Sequence, residues 1–281
     1  MRRSFSILSL LIILSLLLAA CPAPAPAAPA AGGEAAPAAA ATEAPAADSG
    51  GTLIVGRGGD SVLLDNGTAT DGESARVIQE IIEPLVRMEG ISTKPVPALA
   101  ESWETADSQT WIFHLRQGVK FHDGTDFNAE AVAWNIDRWK NADNEYRFGR
   151  TFEYYDTEFG TDLAMEEVTV VDEFTIQIKL STPTGVMLNK LALGFTFGIQ
   201  SPTAIMEQGD IYGTPAGTTV GTGPFKFVEW VPDDHITVEK NTDWWGDGPK
   251  LDKIIWRSIP DNSARFAELQ AGTIHTRSFA Q

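Results

Sequence analysis

The sequence has little cysteine, the residue on which disulfide-stabilised folds and thiolate metal sites depend. Cys21 is its single cysteine. Without a second cysteine, neither an intramolecular disulfide nor a thiolate metal cluster can form within the chain. The patterns HExxH and GxSxG, typical of metalloproteases and α/β-hydrolases, are absent from the sequence. The glycine-rich stretches GRGGD and GTGPFK lack the remaining residues of a nucleotide-binding loop. No standard catalytic motif therefore points to an enzyme.

The sequence has one long apolar run, over residues 5–18, interrupted only by serines. Arg2 and Arg3 precede this run, and small residues at positions 19 and 20 lead from it into Cys21. The run is shorter than the ~20 residues that a membrane-spanning helix needs, and its layout is typical of a secretory signal. We predict a signal peptide over residues 1–20, with an uncleaved single-span anchor as the alternative.

The segment that ends in Cys21 resembles the lipobox of bacterial lipoproteins. A cysteine in that position is lipidated and becomes the first residue of the mature chain, which predicts a membrane anchor at Cys21. Residues 22–50 are mostly alanine, proline and glycine with no aromatic side chain, so they have little to bury. We predict that residues 21–50 are an extended tether and that the fold begins near Gly51.

The formal charge is −17, and removal of the signal with its two arginines makes it −19. Such an acidic chain is not expected to bind nucleic acid, or anionic lipid by electrostatic attraction. The 231 residues that follow the tether are enough for one large domain or two smaller ones.

Residue patterns after the tether predict a mixed α+β fold with many hairpins and no regular βαβ repeat. The predicted strands lie in residues 51–59, 111–121, 167–180 and 221–241, and a further one follows a glycine-rich loop within residues 244–261. Three helices are predicted: from about residue 74 to near Glu83, over 129–140 after an Asn128 cap, and over 261–272 with Gly272 at its end. Trp111, Trp139, Trp230 and Trp256 lie in apolar patterns of the core, whereas Trp244 and Trp245 are expected to pack under a turn.

The stretch FHLRQGVKFHDGTDF (113–127) contains two histidines and two aspartates within fifteen residues. Its alternation predicts a hairpin with a three-residue loop at 116–118, which would place His114 and His122 on one polar face. A metal-dependent enzyme using His114, His122 and Asp123 is one interpretation. We favour the other, in which the aspartates serve a turn and a helix start, because a zinc site needs three or four converging ligands.

Two long blocks, residues 97–132 and 220–272, resemble the extracytoplasmic solute-binding proteins of peptide- and nickel-type ABC importers, the family 5 solute-binding lipoproteins. The lipoprotein start and the alanine-proline tether are also similar to that family. The chain departs from the common sequence motifs of the family at two places. Residues 128–131 are NAEA instead of TAED, and residues 272–275 are GTIH instead of GEID.

The resemblance implies a type II periplasmic-binding-protein architecture with two lobes. It assigns residues 51–90 and 185–281 to the first lobe and residues 91–184 to a family-specific subdomain, with the second lobe missing. The implied function is capture of a solute by lobe closure, without catalysis or cofactor, and its delivery to a membrane permease. Peptides are the favoured solute, with nickel chelates, opines and oligosaccharides as alternatives. The protein is expected outside the cytoplasm, anchored by the lipid on Cys21.

The resemblance also suggests residues that line the solute cleft in the half that is present. Thr70, Asp71 and Gly72 are expected at a strand end, and Phe197 in the segment that leads to Ser201. An aromatic and basic insertion supplies three further candidates, Tyr146, Arg147 and Arg150. Each of these residues has an ordinary packing or surface role as its alternative. A truncated, non-functional product is a further interpretation of the whole chain.

Overall fold

The computed structural model describes residues 50–278. The predictions for the signal peptide (1–20), for Cys21 and for nearly all of the tether (21–50) fall outside this range. Within it the helices are α1 Gly72–Ile81, α2 Ala129–Lys140, α3 Glu153–Phe159, α4 Met187–Leu191, α5 Gly194–Phe197, α6 Pro202–Gln208 and α7 Asn262–Ala271. Two 3-10 turns lie at Glu145–Arg147 and Gly209–Ile211. None of the helices described here is both long and apolar enough to cross a lipid bilayer.

Most strands of residues 50–278 belong to two sheets. They are β1 Thr52–Arg57, β2 Glu83–Pro84, β3 Val86–Met88, β4 Pro95–Pro97, β5 Ala100–Thr105, β6 Thr110–Leu115, β7 Met165–Asp172, β8 Thr175–Leu180, β9 Gly198–Ile199, β10 Phe225–Val231, β11 His235–Lys240, β12 Lys253–Ser258 and β13 Thr276–Arg277. The large sheet has the order β10-β11-β12-β1-β13, and the second sheet has the order β5-β6-β8-β7. The short strands form the pairs β2-β9 and β3-β4.

The large sheet is covered by helix α1. Val77, Ile78 and Ile81 of the helix are fully buried and belong to one core cluster with Ile236 and Val238 of β11. The helix begins after Asp71, whose carboxylate accepts a hydrogen bond from the Ser74 amide. It ends at Ile81, two residues before the predicted end near Glu83, because Ile82 is already extended and Glu83 and Pro84 form strand β2.

Helix α2 covers the second sheet through the face that its sequence predicts. Val132, Ile136 and Trp139 are at most 1% exposed and share a core cluster with residues of β6 and β8. Asn128 caps the helix by accepting a hydrogen bond from the Ala131 amide. The predicted cap and span are confirmed, as are the 165–180 and 225–240 hairpins and the left-handed Gly272 that ends α7. The mixed α+β class is likewise confirmed.

The predicted hairpin with a loop at residues 116–118 is wrong. Strand β6 pairs with β5 on one side and with β8 on the other, so residues 119–121 have no place beside it. They pair instead with residues 125–127 around a tight turn at Asp123-Gly124, through the amide of Phe121 and the carbonyl of Thr125. Alternation predicted the strand faces, but hydrogen bonds to β8, more than fifty residues away, decided the partner.

Candidate functional site

The β1–α1 loop (residues 58–71) lies at the carboxyl end of β1, in the large sheet. Strand β12 runs parallel to β1, so the carboxyl ends of both strands lie at one edge. Ligands of open sheets with parallel strands bind at this edge, since the loops there are free to face a cleft. The β1–α1 loop is therefore expected to form one wall of a binding site in the described residues. We use the term wall for this loop and for the side chains that pack against it.

The first half of the loop, residues 58–63, is held in place by hydrogen bonds to residues of other elements. Asp60 accepts them from the Arg57 guanidinium (2.5 Å), the Trp230 indole (2.9 Å) and the Asp233 amide (2.8 Å). The Ser74 hydroxyl oxygen accepts from two successive loop amides, at residues 62 and 63. The Val62 side chain between these anchors remains 74% exposed. A fixed loop that displays an apolar side chain gives a preorganised contact surface.

A buried ion-pair network around Asp65 supports the second half of the loop. The two carboxylate oxygens of Asp65 accept hydrogen bonds from the Arg138 guanidinium at 2.9 and 2.6 Å, and Arg150 adds a third at 2.8 Å. Asp65 and Arg138 have no exposed side-chain surface. Burial by itself would raise the pKa of Asp65, but the two guanidinium groups outweigh it and lower the pKa below its usual value.

The same network fixes the insertion that carries the aromatic and basic candidates. Arg138 also donates to the carbonyl of Tyr146 at 2.7 Å. Arg150 also donates to the carbonyls of Tyr212 and Asp210, at 3.0 and 2.5 Å. One carboxylate therefore links the loop, helix α2, the insertion and the segment around residue 212.

Arg147 joins this region through the ring of Phe152, over which its guanidinium carbon lies 4.5 Å from the centroid. Arg138 lies over the same ring at 5.2 Å. The ring also packs against Gly67 of the loop, where a Cβ atom would come within 2.2 Å of it. Only a glycine allows this close approach. Arg138 and Arg147 thus share the Phe152 ring, and Arg138 and Arg150 share the Asp65 carboxylate, so three guanidinium groups lie in one cluster beside the loop.

The structure brings some of the predicted site residues together and separates others. Thr70 and Gly72 lie on either side of the helix cap Asp71, at the end of the loop. Arg147 and Arg150 flank the same loop through Phe152 and Asp65. Tyr146 is partly buried, with its ring 5.5 Å from that of Trp134.

Phe197 lies in the core and not at the wall. It is 1% exposed, and its ring packs edge-on against Trp139 and Phe159, with centroids 5.6 and 5.1 Å away. Sequence reasoning missed Asp65, Arg138 and Asp60, which organise the wall. Their partners lie up to 173 residues away in the chain, so no local pattern marks them.

The histidines of the 113–127 stretch do not form a joint site, and the interpretation that they share a face is wrong. His114 is half exposed on β6, with Nε2 3.8 Å from Glu104. His122 is largely buried in the turn, where Nε2 donates to the Gly223 carbonyl at 2.9 Å and burial lowers its pKa to about 4. Asp123 accepts hydrogen bonds from Thr125 and Ser201. Across residues 50–278 no three His, Cys, Asp or Glu side chains converge as metal ligands.

A mixed sheet with a fixed loop at the carboxyl ends of its parallel strands is typical of ligand-binding folds. Residues 94–281 match the model of the bacterial extracellular solute-binding proteins, family 5 (middle region). The chain belongs to this family of solute-binding proteins, whose fold is that of the type II periplasmic binding proteins.

Curated relatives agree with this assignment. The dipeptide-binding protein of Escherichia coli K12 is 33% identical over 222 residues, and the glutathione-binding protein GsiB of Pectobacterium atrosepticum is 36% identical over 221. These alignments cover 74% and 78% of this chain but 40% of each relative. The chain therefore spans about two fifths of the length of the relatives it matches.

Solved structures show the same partial match. The periplasmic binding protein DppA of Helicobacter pylori, in complex with the peptide STSA, aligns with a TM-score of 0.72 at 32% identity, over 80% of this chain and 46% of that one. AgaA of A. tumefacien R10, in complex with agropinic acid, aligns with a TM-score of 0.70 at 31% identity, over 80% and 43%.

Proposed function

We propose that this chain is the solute-capturing part of an ABC importer and that its solute is a peptide. The observation that carries the proposal is the match, over four fifths of the chain, to a binding protein in complex with a peptide. The names of the dipeptide- and glutathione-binding relatives support the same solute class. The partner is a membrane permease that receives the solute, and the mechanism is binding without catalysis, so no cofactor is proposed.

The contacts proposed for the solute lie along the fixed wall. Thr70, Asp71 and Gly72 offer polar and backbone groups at the end of the β1–α1 loop. Arg147, which is buried against the Phe152 ring, and Arg150, which is paired with Asp65, are the proposed guanidinium partners of a peptide carboxylate. Tyr146 contributes an aromatic edge beside them. Phe197 would contribute indirectly. Its ring has almost no exposed surface, so it would hold α2 in place and not contact the solute.

The proposed organisation assigns residues 51–90 and 185–281 to one lobe and residues 91–184 to a subdomain inserted in it. Closure of a second lobe over the wall would bury the solute on both sides and present a closed shape to the permease. One wall alone leaves half of the solute in water, so only a fraction of the binding free energy is available.

Because the proposed mechanism needs two lobes to bury the solute, we predict weak binding by the chain alone. Titration calorimetry of the 281-residue chain with a tripeptide should give a dissociation constant in the millimolar range. Fusion to the second half of the Escherichia coli dipeptide-binding protein should tighten it at least about a hundredfold, which corresponds to ~3 kcal/mol. Arg147→Gln should weaken binding by the fusion, whereas Lys120→Gln, with the same charge change on a distant turn, should not. Tight binding by the chain alone would contradict the two-wall mechanism.

An opine is the second candidate solute, favoured by the likeness to AgaA in complex with agropinic acid. Mass spectrometry of small molecules released from the purified fusion protein distinguishes the two classes. A peptide mass supports the first proposal, and a sugar–amino-acid conjugate supports the second. Both carry a carboxylate, so both are compatible with the arginines of the wall.

The lipid anchor on Cys21 yields a separate prediction. In a bacterial host the chain should fractionate with membranes, because diacylation of the cysteine holds the tether at the surface. Cys21→Ser should abolish the diacylglycerol mass on the N-terminal peptide and leave residues 1–20 attached, because cleavage before position 21 follows lipidation. Ser49→Ala, in the tether, serves as the control and should leave the lipidated N-terminal peptide unchanged. A parent chain that keeps residues 1–20 and carries no lipid on Cys21 would show that the apolar run is an uncleaved anchor.

A further inference from the structure

A cavity of about 360 Å³ lies between the end of α1 and the strands β2 and β3. Its volume falls within the ~300–1,000 Å³ of small-molecule sites. Ile82, Met88 and Ala192 contribute apolar surface, and the indole of Trp244 closes one side. The lining shares no residue with the β1–α1 loop or with the arginine-rich insertion, so the cavity is independent of the proposed peptide site.

The lining contains one carboxylate, Glu83, which is held in a fixed orientation. Its Oε2 atom accepts three hydrogen bonds, from the Thr222 hydroxyl at 2.9 Å and from the Trp244 and Trp245 indoles at 3.2 and 2.9 Å. No described residue donates a hydrogen bond to its other oxygen, Oε1. Burial raises the pKa of Glu83, and these three donors oppose the effect. The three donors therefore leave Oε1 of Glu83 without a hydrogen bond at the cavity.

The lining contains one cation, Arg87, on β3. Its charge is near enough to act on Glu83 and lower its pKa, yet the two side chains form no ion pair within 4.0 Å. The Arg87 side chain is exposed, and none of the ion pairs found in residues 50–278 includes it. A carboxylate with one free oxygen and an exposed guanidinium thus share the lining of one mostly apolar cavity. The complementary ligand carries both charges, in reverse order, on a small apolar body.

We propose that this cavity binds a small zwitterion of the amino-acid type. The ligand's ammonium group donates to Oε1 of Glu83, and its carboxylate pairs with the Arg87 guanidinium. Its apolar side chain packs against Met88, Ile82 and the Trp244 ring. Glu83 is half-buried and Arg87 is exposed. Charge-assisted hydrogen bonds are stronger than neutral ones, so both charges are expected to contribute to affinity.

Leucine is the probe, and the indole next to the cavity provides the signal. Titration of the 281-residue chain with leucine should change the tryptophan fluorescence saturably at millimolar concentrations. Leucine amide lacks the carboxylate and N-acetyl-leucine lacks the ammonium group. Each should bind at least about tenfold more weakly, the loss expected from one charge-assisted hydrogen bond.

Two variants locate the site. Glu83→Gln keeps an oxygen for the three donors but removes the charge, and Arg87→Met keeps the aliphatic stem. Each should weaken leucine binding at least about tenfold, while Glu239→Gln, on the exposed side of β11, should not. An unchanged melting temperature shows that the Glu83 variant is folded, and Arg87→Met tests the proposal if it is not. Absence of saturable leucine binding, or binding unaffected by both variants, would overturn the proposal and leave the peptide function untouched.

Discussion

Replacing Asp65 by asparagine is expected to lower the free energy of unfolding by about 3–5 kcal/mol, the cost of removing one partner from a buried ion pair. The neutral amide would leave the guanidinium of Arg138 without a counter-charge at a position with no solvent exposure. Arg150 would lose one of its three acceptors. Urea denaturation of the chain, followed by circular dichroism, measures the change.

Two further variants separate the buried charge from general loss of packing. Asp126→Asn removes one partner of an ion pair whose side chains are more than half exposed, and should cost well under ~1 kcal/mol. The double variant Asp65→Leu, Arg138→Met replaces the pair by apolar side chains of similar size. It should recover part of the stability, because the fully buried guanidinium of Arg138 is gone, while Arg150 keeps its two carbonyl acceptors and some exposure to solvent. A loss for Asp65→Asn no greater than that for Asp126→Asn would show that the network contributes little.

The second large effect is a loss of stability in mild acid that depends on His122. The folded protein protonates this imidazole at a pKa of about 4, because burial disfavours the cation and Lys226 lies nearby. The Gly223 carbonyl and Asp123 favour the cation but do not outweigh the burial. In the unfolded chain the pKa is about 6.5. Between these two values the unfolded chain binds more protons, so stability falls as pH decreases.

The loss attributable to His122 should reach up to about 3 kcal/mol between pH ~6.5 and pH ~4. Denaturation at several pH values in this window, for the parent chain and for His122→Gln, measures it as the difference between the two pH slopes. Other titrating groups contribute equally to both slopes and cancel. His114→Gln, at the half-exposed histidine, should keep the parent slope. Equal slopes for the parent and His122→Gln would refute the assignment.

Local structure in this protein follows from local sequence. The apolar positions of α2, the Asn128 cap, the left-handed Gly272 and the hairpins at 165–180 and 225–240 were all predicted, because each depends on residues within a few positions of one another. The core tryptophans follow for the same reason. The family resemblance was carried by two long blocks and was confirmed by the comparisons.

Strand pairing was less predictable. The alternation in residues 111–121 gave the correct buried face, with Trp111, Phe113 and Leu115 in the core, but the wrong partner. A strand's side-chain pattern shows which face is buried, whereas its hydrogen-bond partner is chosen by whichever strand covers the same core. The two histidines were therefore assigned to one face and in fact lie in different environments.

The sequence by itself determined three of the seven helices that the structure describes, the Asn128 cap, the buried faces of α1, α2 and β6, and the family, since these are encoded by neighbouring residues. Only the tertiary structure decided which charges are compensated. Asp65 meets Arg138 and Arg150 across 73 and 85 positions, and Glu83 meets Trp245 across 162. What an ionisable side chain contributes to stability or binding depends on its solvation and on its partner, and both are set by the tertiary structure. The arginine-rich wall and the Glu83 cavity therefore became visible only in three dimensions.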